Sequence, residues 1–491
     1  MCVLVCCRGG IRYLASVDST GSKGGGGPGR HCEHMLMDHM VTPVGKQACT
    51  STPQTKRPHP PPPPPKPSPS PLFTASVVGV LVLVGISALV GWSRKSDGQR
   101  TGQTLAQKML RRLFLADNKQ TAPPPPLLST ADVSSSSTTT AAPAKANTVT
   151  NGSDSGSMWG DARSLYDINA HTQLRNGDPV ADKYCGAVWG RVAWMVVADG
   201  VNWGPKAAQA AQSAVEGATD SITAFLRSTT TTSAASPMTT TQAAVEAALD
   251  AAVRDAHDRV ICENGTMTTF VAALYLPFAA ESPNGAGLLT CVRVGDSEAF
   301  HFNGQSGLVK TVVVDEGVLR ESLKFTPGAL GYAQGEEPDL GNKRTVSIAV
   351  RPGDVVVLCS DGIADNLDPE VRRAIPVIDL PSKGDADVDA HKTERAVVKR
   401  YLSCLHLANV IGPLRKEGAQ AIGQAILDDA DKLTQQHRSL VEAANLHEPC
   451  PEGVDPADHQ KTLKRRDDEL YAKVLAIPGK LDHASVLVLK L

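Results

Sequence analysis

Short apolar segments that each carry an aspartate at one end are the feature that most constrains the fold of this 491-residue chain. The segments have the length and composition of buried β-strands. The first three acids follow their segment and the fourth precedes it: Asp199 in AWMVVADG, Asp296 in CVRVGDS, Asp361 in VVVLCSDG and Asp482 in LDHASVLVL. We therefore expect a sheet-rich domain in which several carboxylates lie at strand ends.

The four aspartates favour a shared cation over four unrelated turns. A carboxylate is costly to bury alone, so several of them at strand ends indicate a common counter-charge. Their hard oxygen atoms suit Mg²⁺ or Mn²⁺, and the sequence has no clustered His and Cys pattern of the kind that binds zinc. For any one site taken alone, an Asp-Gly pair after a strand is more typical of a simple turn.

Composition divides the chain into segments. Residues 1–71 are rich in Pro and Gly, and residues 93–156 are first basic and then rich in Ser, Thr and Pro. We expect the first segment to be disordered and the second to be a flexible tether, because neither can bury enough apolar surface to offset chain entropy. Residues 157–491 are long enough for one large core.

Charge and cysteine usage exclude some classes of protein. The formal net charge of −2 gives no electrostatic reason to expect nucleic-acid binding. The 11 cysteines include no CxxC pair, which indicates reduced intracellular thiols and not a disulfide framework or a zinc ribbon.

Residues 72–92, LFTASVVGVLVLVGISALVGW, predict a single transmembrane helix. The segment has no charged residue and is close to the ~20 residues that span a bilayer. More Lys and Arg follow the segment than precede it, which predicts that the C-terminal domain faces the cytosol. An organelle-targeting leader is the competing interpretation.

Periodicity predicts an α+β fold with antiparallel sheets and helices packed outside them. Asn-Gly at 303–304 and Pro-Gly-Asp at 352–354 are typical of hairpin turns. The predicted elements, in chain order, are a strand at 191–198, helices at 206–226 and 242–261, strands at 267–276, 288–294, 299–302, 308–314, 345–350 and 355–359, a helical stretch with polar breaks at 388–444 and a last strand at 484–489.

Five motifs in this region resemble the metal-dependent protein serine/threonine phosphatases of the protein phosphatase 2C family. MVVADGVNWG, NGTMTTFVAAL, VRVGDSEAF, RPGDVVVLCSDGIADNL and LDHASVLVLKL stand in the family's order across residues 177–491. The resemblance implies two antiparallel β-sheets in a central sandwich flanked by helices, with a two-metal centre at one edge. It also implies a phosphorylated protein as substrate, and we expect the catalytic domain to be monomeric.

The resemblance further implies a role for each acid. Asp199, Asp361 and Asp482 would be the catalytic metal ligands. Asp199 would bridge two Mg²⁺ or Mn²⁺ ions, and the Gly200 carbonyl would bind one of them. Asp361 and Asp482 would hold the other ion. A more labile third ion would involve Asp296, and Asp182 would lie near the metal-bound waters.

The chain also departs from the family pattern. Ala181 replaces the usual Glu before Asp182, Val201 replaces a His proposed as proton donor, and His483 replaces an Asn. No Arg stands at the usual distance before Asp182 to bind phosphate, which leaves Arg175 and Arg191 as candidates. Three functions stay open: an active membrane-tethered phosphatase, a catalytically weak pseudophosphatase that acts as a binding module, and a membrane scaffold.

Two further residues have alternative interpretations. Asp365 either supports the metal ligands from behind or caps a helix or turn. Trp203 either lines the substrate cleft or packs against the following helix.

Overall fold

The computed structural model describes residues 3–7, 10–14, 146–150, 157–169, 172–231, 240–278, 286–313, 328–375, 386–444 and 455–491. The chain forms two compact units, Met1–Asp117 and Asn118–Leu491. The first unit contains an antiparallel hairpin of β1 (Val3–Cys7) and β2 (Gly10–Leu14), within the segment predicted to be disordered. The predicted membrane span at 72–92 lies outside the described residues.

No helix in the described ranges is both long and apolar enough to cross a bilayer.

The strands of the second unit build two sheets. In chain order they are β3 (Thr148–Thr150), β4 (Met158–Ser164), β5 (Lys183–Trp189), β6 (Val192–Gly200), β7 (Met267–Pro277), β8 (Gly287–Val294), β9 (Glu298–Phe302), β10 (Val309–Thr311), β11 (Ala329–Gln334), β12 (Glu337–Asp339), β13 (Arg344–Val350), β14 (Val355–Cys359) and β15 (His483–Lys490). The larger sheet runs β13–β8–β7–β6–β5–β3, and β11 and β12 extend from the start of β7. The smaller sheet runs β10–β9–β14–β15–β4.

All described strand pairs in these sheets are antiparallel except β3–β5, which is parallel. β3 lies in the segment predicted as a tether, so the folded unit begins upstream of residue 157.

Helices cover both outer faces of the sandwich. They are α1 (Pro205–Thr231), α2 (Gln242–Cys262), α3 (Asp361–Leu367), α4 (Ala386–Ile411), α5 (Ala419–Ala444) and α6 (Pro456–Ala476). One apolar core joins α1 and α2 to the larger sheet, a second fills the space between the sheets, and a third joins the smaller sheet to α4 and α5. The predicted architecture of two sheets flanked by helices is confirmed.

Alternation along β6 explains how the fold directs its aspartate. Trp194 and Val196 belong to the core under α1 and α2, whereas Met195 and Val197 belong to the core between the sheets. Because successive side chains of a strand point to opposite faces, Asp199 continues the row that faces the other sheet. It lies beyond the last apolar residue of that row, at the edge of the sandwich.

One expectation about a connection was wrong. The Pro-Gly-Asp turn at 352–354 does not close a hairpin, because β13 pairs with β8 in the larger sheet and β14 pairs with β9 and β15 in the smaller one. The stretch at 388–444, which the sequence predicts as helical with polar breaks, forms two helices with a short 3₁₀ turn, Gly412–Leu414, between them. Pro413 explains the break, because proline lacks the backbone N–H and clashes with the preceding helical turn.

Candidate metal centre

Five aspartates from different elements meet at one edge of the sandwich. Asp199 is the penultimate residue of β6, and Asp182 directly precedes β5, where Lys183 pairs with Ala198. The other three lie at the corresponding end of the remaining strands: Asp296 between β8 and β9, Asp361 at the start of α3 just after β14, and Asp482 just before β15. The structure therefore brings together all the acids that the sequence selected.

Asp199, Asp296 and Asp361 form the tightest group. Each offers one carboxylate oxygen, and these three atoms lie within 4.8 Å of one another. Opposite ligands of an octahedral Mg²⁺ are about 4 Å apart, so the spacing and the oxygen chemistry fit one hard divalent cation. All three side chains are largely shielded from solvent, which makes an uncompensated cluster unfavourable.

Asp182 lies behind this group and is completely buried. Neither of its carboxylate oxygens has a hydrogen-bond partner among the described residues. Burial, together with the negative charge of Asp361, raises the pKa of Asp182 to about 6, while the nearby hydroxyls of Ser360 and Ser485 oppose the rise. A buried carboxylate without hydrogen-bond partners fits a position beside a cation or its bound waters.

Asp199 carries an electrostatic penalty of the same kind. Burial raises its pKa well above the usual range, and the charges of four other aspartates add to the effect, beginning with Asp182 and Asp361. Its backbone is fixed from β7, because the Thr268 hydroxyl donates a 2.8 Å hydrogen bond to the Asp199 carbonyl. A divalent cation would reverse this penalty, since an opposite charge favours the ionised form.

Small residues and hydroxyls hold the surrounding backbone in place. A Cβ at Gly200 would lie 2.3 Å from the Ala207 carbonyl oxygen, so only glycine lets α1 approach β6 this closely. Gly295, which precedes Asp296, has φ +93 and accepts and donates backbone hydrogen bonds with the Asn342 amide. These contacts fix where the strand ends meet.

A lysine that the sequence did not single out completes the cluster. The Lys480 ammonium lies 2.7 Å from one oxygen of each of three carboxylates, those of Asp361, Asp365 and Asp482. Burial raises the pKa of Asp482 to about 6, as does the charge of Asp361, while Lys480 opposes the rise. Asp365 is thus a partner of Lys480 in the site and not only a residue of α3.

Aromatic side chains form the rim beside Asp482. The Tyr166 hydroxyl donates a 3.3 Å hydrogen bond to Asp482 Oδ1, and its ring stacks on Trp203 with centroids 5.8 Å apart. Trp203 is 45% exposed, so it lies at the mouth of the site and is not packed into the core. His483 contacts the other side of this rim, with its ring 5.3 Å from that of Tyr166.

The departures from the family pattern have specific structural positions. His483 Nδ1 accepts a 3.3 Å hydrogen bond from the Ala181 N–H, and burial lowers the pKa of His483, so it serves as a neutral hydrogen-bonding group. Arg175 donates to the Tyr166 carbonyl at 2.7 Å and is therefore close to the rim. Arg191 precedes β6 at its far end, about 26 Å of extended chain from Asp199, which excludes it from the site.

An α+β sandwich with an acidic, metal-competent edge is the class that this fold and site define. The family model of protein phosphatase 2C matches residues 170–383. The chain is 32% identical over 216 residues to a PP2C-like domain-containing protein of Drosophila melanogaster, a match that covers 44% of this chain and 30% of that relative. Residues 170–383 of this chain thus match the protein phosphatase 2C family.

Solved structures of serine/threonine phosphatases also match this chain. The serine-threonine phosphatase 2C of Toxoplasma gondii is 13% identical, with a TM-score of 0.35 over 67% of this chain and 93% of that chain. The catalytic domain of the phosphatase PstP in complex with 2 manganese ions is 17% identical, with a TM-score of 0.27 over 68% of this chain and 97% of that chain. The region that the family model matches ends before β15, so Asp482 and Lys480 lie beyond it.

Proposed function

We propose that this domain hydrolyses phosphoserine and phosphothreonine on proteins with the help of Mn²⁺ or Mg²⁺ bound at its acidic edge. The single observation that supports this most is the Asp199, Asp296 and Asp361 cluster, whose oxygens lie within 4.8 Å of one another in a domain of this family. The buried Asp182 carboxylate, which lacks a hydrogen-bond partner among the described residues, supports the same conclusion.

Each residue has a proposed task in this reaction. Asp199, Asp296 and Asp361 hold the cation, with the Gly200 carbonyl as a further oxygen ligand. Asp182 accepts hydrogen bonds from the waters around the cation. Asp482 provides a negative charge next to β15 that attracts a positively charged group. When bound, a divalent ion supplies an activated water and neutralises charge on the phosphoryl group.

The rim supplies the surface that would contact a phosphoprotein. Tyr166 and Trp203 present a stacked aromatic pair beside Asp482, and Trp203 is accessible. Such a pair contributes apolar area and orientation to a bound peptide. Of the two arginine candidates for binding the phosphate group, Arg175 is the one beside this rim, because its side chain donates a hydrogen bond to the Tyr166 carbonyl.

The test is hydrolysis of p-nitrophenyl phosphate and of a phosphothreonine peptide by the purified full-length protein. We expect turnover with Mn²⁺ and its loss with EDTA. Asp199→Asn or Asp361→Asn should reduce turnover by about 100-fold or more, because each removes a direct ligand of the ion that stabilises the transition state. Asp220→Asn is the control, since Asp220 only pairs with Arg259 on α1 and α2, away from the site.

Wild-type turnover no greater than that of Asp199→Asn would refute the enzymatic proposal. It would favour the second candidate, a pseudophosphatase that uses the fold as a binding module. Three observations favour that candidate: Val201 and Ala181 replace residues with chemical roles in the family, and the Lys480 ammonium lies between Asp361 and Asp482.

Location at a membrane is a separate proposal that rests on the sequence of residues 72–92. We propose that this segment anchors the protein with the phosphatase-like domain facing the cytosol. Resistance of the protein to alkaline extraction from cell membranes, together with digestion of the domain by protease added from the cytosolic side, would support it. Release into the soluble fraction would contradict it.

A further inference from the structure

We propose that the Lys480 ammonium is a built-in cation that takes the place of a second divalent ion between Asp361 and Asp482. The inference rests on the proposed function of the acidic edge, because it concerns how many ions that edge accepts. It predicts that the Asp199, Asp296 and Asp361 group binds one ion, whereas the Asp361 and Asp482 pair binds none while Lys480 is present.

The contacts of the ammonium carry the proposal. Lys480 Nζ lies 2.7 Å from an Oδ2 atom on each of Asp361, Asp365 and Asp482. These acids come from α3 and from the residue before β15, so the ammonium joins the two elements that a second metal ion would join. An ion placed between Asp361 and Asp482 would meet an ammonium a few ångströms away, and like charges at that distance repel strongly.

The backbone of Lys480 is fixed, so this position is built into the fold. Asn366 is 1% exposed, and its side-chain amide bonds both backbone groups of Lys480: Oδ1 accepts from the Lys480 N–H at 2.9 Å, and Nδ2 donates to the Lys480 carbonyl at 3.0 Å. The same Nδ2 donates to the Gly362 carbonyl at 2.7 Å. Asn366 therefore ties the lysine directly to the helix that carries Asp361 and Asp365.

The residue before the lysine is held as well. Gly479 has φ +96, a conformation that other residues rarely adopt, and its N–H donates to the Val371 carbonyl at 3.0 Å. Its own carbonyl bonds His437 Nδ1 at 3.2 Å. With residues 479 and 480 both fixed, the side chain enters the acidic edge from one direction, and its charge compensates carboxylates that would otherwise repel one another.

The experiment is a titration of the metal-free full-length protein with Mn²⁺. Calorimetry measures the stoichiometry of binding, and electron paramagnetic resonance shows whether the bound ions are isolated or coupled. Wild-type protein should bind one Mn²⁺ at the edge and show the resolved hyperfine lines of an isolated ion. Lys480→Met should bind a second ion more than about a hundredfold more tightly than wild type does, because the repelling ammonium is gone. Its spectrum should show the broadening and coupling of two neighbouring ions.

Lys399→Met is the matched control, because Lys399 also joins two carboxylates, those of Asp368 and Glu370, outside the acidic edge. It should behave as wild type. Asp482→Asn in the Lys480→Met background should abolish the second ion, which assigns that ion to the Asp361 and Asp482 pair. Asn366→Ala should release Lys480 and give an intermediate result.

Two coupled ions in the wild type, at the affinity of Lys480→Met, would overturn the proposal, since the lysine would then leave the site when metal arrives. The wild-type spectrum decides this even where a variant does not fold. A change from one ion to two on Lys480→Met, without phosphatase turnover in either protein, would uphold this inference and refute the proposed function.

Discussion

Neutralising the buried Asp182 should stabilise the metal-free protein while weakening its hold on metal. Burial raises the pKa of this carboxyl from 3.8 to about 6 in the folded state. Because the pKa of Asp182 is higher in the folded state, its protonated form favours folding below pH ~4. This stabilisation is lost as the pH rises through about 6. The difference corresponds to a penalty of about 3 kcal/mol at pH 7.5, a large fraction of the stability of a typical domain.

Asp182→Asn removes that penalty with almost no change in side-chain volume. In EDTA at pH 7.5 we expect the variant to melt roughly 6–12 °C above wild type, at about 2–4 °C per kcal/mol. At pH 5 the difference should shrink, because wild-type Asp182 is then mostly protonated. In saturating Mn²⁺ it should vanish or reverse, since the ion favours the ionised carboxylate that the variant lacks.

The assay is thermal unfolding followed by circular dichroism, on full-length protein at both pH values with EDTA or with Mn²⁺. Asp220→Asn provides the control, because its side chain is 60% exposed and pairs only with Arg259 at the surface. A variant that melts below wild type in EDTA at pH 7.5 would show that the ionised Asp182 carboxylate does not destabilise the metal-free fold. It would mean that the Asp182 carboxylate is stabilised by protein contacts and needs no cation.

Two further substitutions test the packing of the edge and its rim. Gly362→Ala should destabilise the protein by about 1–3 kcal/mol in a denaturant titration and weaken Mn²⁺ binding. The new Cβ would lie 1.8 Å from the His483 carbonyl oxygen and would separate α3 from β15. Gly412→Ala is the control and should be neutral in the same titration, because its Cβ would meet nothing within 4 Å. Trp203→Ala should change stability by less than about 1 kcal/mol, because the ring is 45% exposed beside the site. It should raise KM for a phosphopeptide more than KM for p-nitrophenyl phosphate. Equal changes in both KM values would argue against a role of Trp203 in substrate binding.

Strands and helices with a regular apolar pattern were predictable from the sequence. β6 and β14 are continuous apolar runs, and α1 and α2 carry an apolar face, so each was placed to within a few residues. β4 and β5 were missed because MWGDARS and KYCGAVW mix charged, small and apolar residues and owe their strand form to pairing with neighbours. α6 was missed because its sequence is rich in charged residues and has no regular apolar face.

The aspartates could be predicted because each adjoins a strand and matches a family motif. The role of Lys480 could not be predicted, because Lys480 is 119 positions from Asp361 in the sequence. No local sequence pattern indicates a contact between residues so far apart in the chain. Its place two residues before Asp482 was the one available signal. Tyr166 gave no signal, because only the folded chain brings its hydroxyl to Asp482.

The most direct test of the metal centre is a crystal of the protein soaked in Mn²⁺ and measured at the manganese absorption edge. We expect an anomalous-difference peak among the carboxylates of Asp199, Asp296 and Asp361, with Lys480 still in contact with Asp482. The absence of a peak among these three aspartates at saturating Mn²⁺ would contradict a metal centre at this edge.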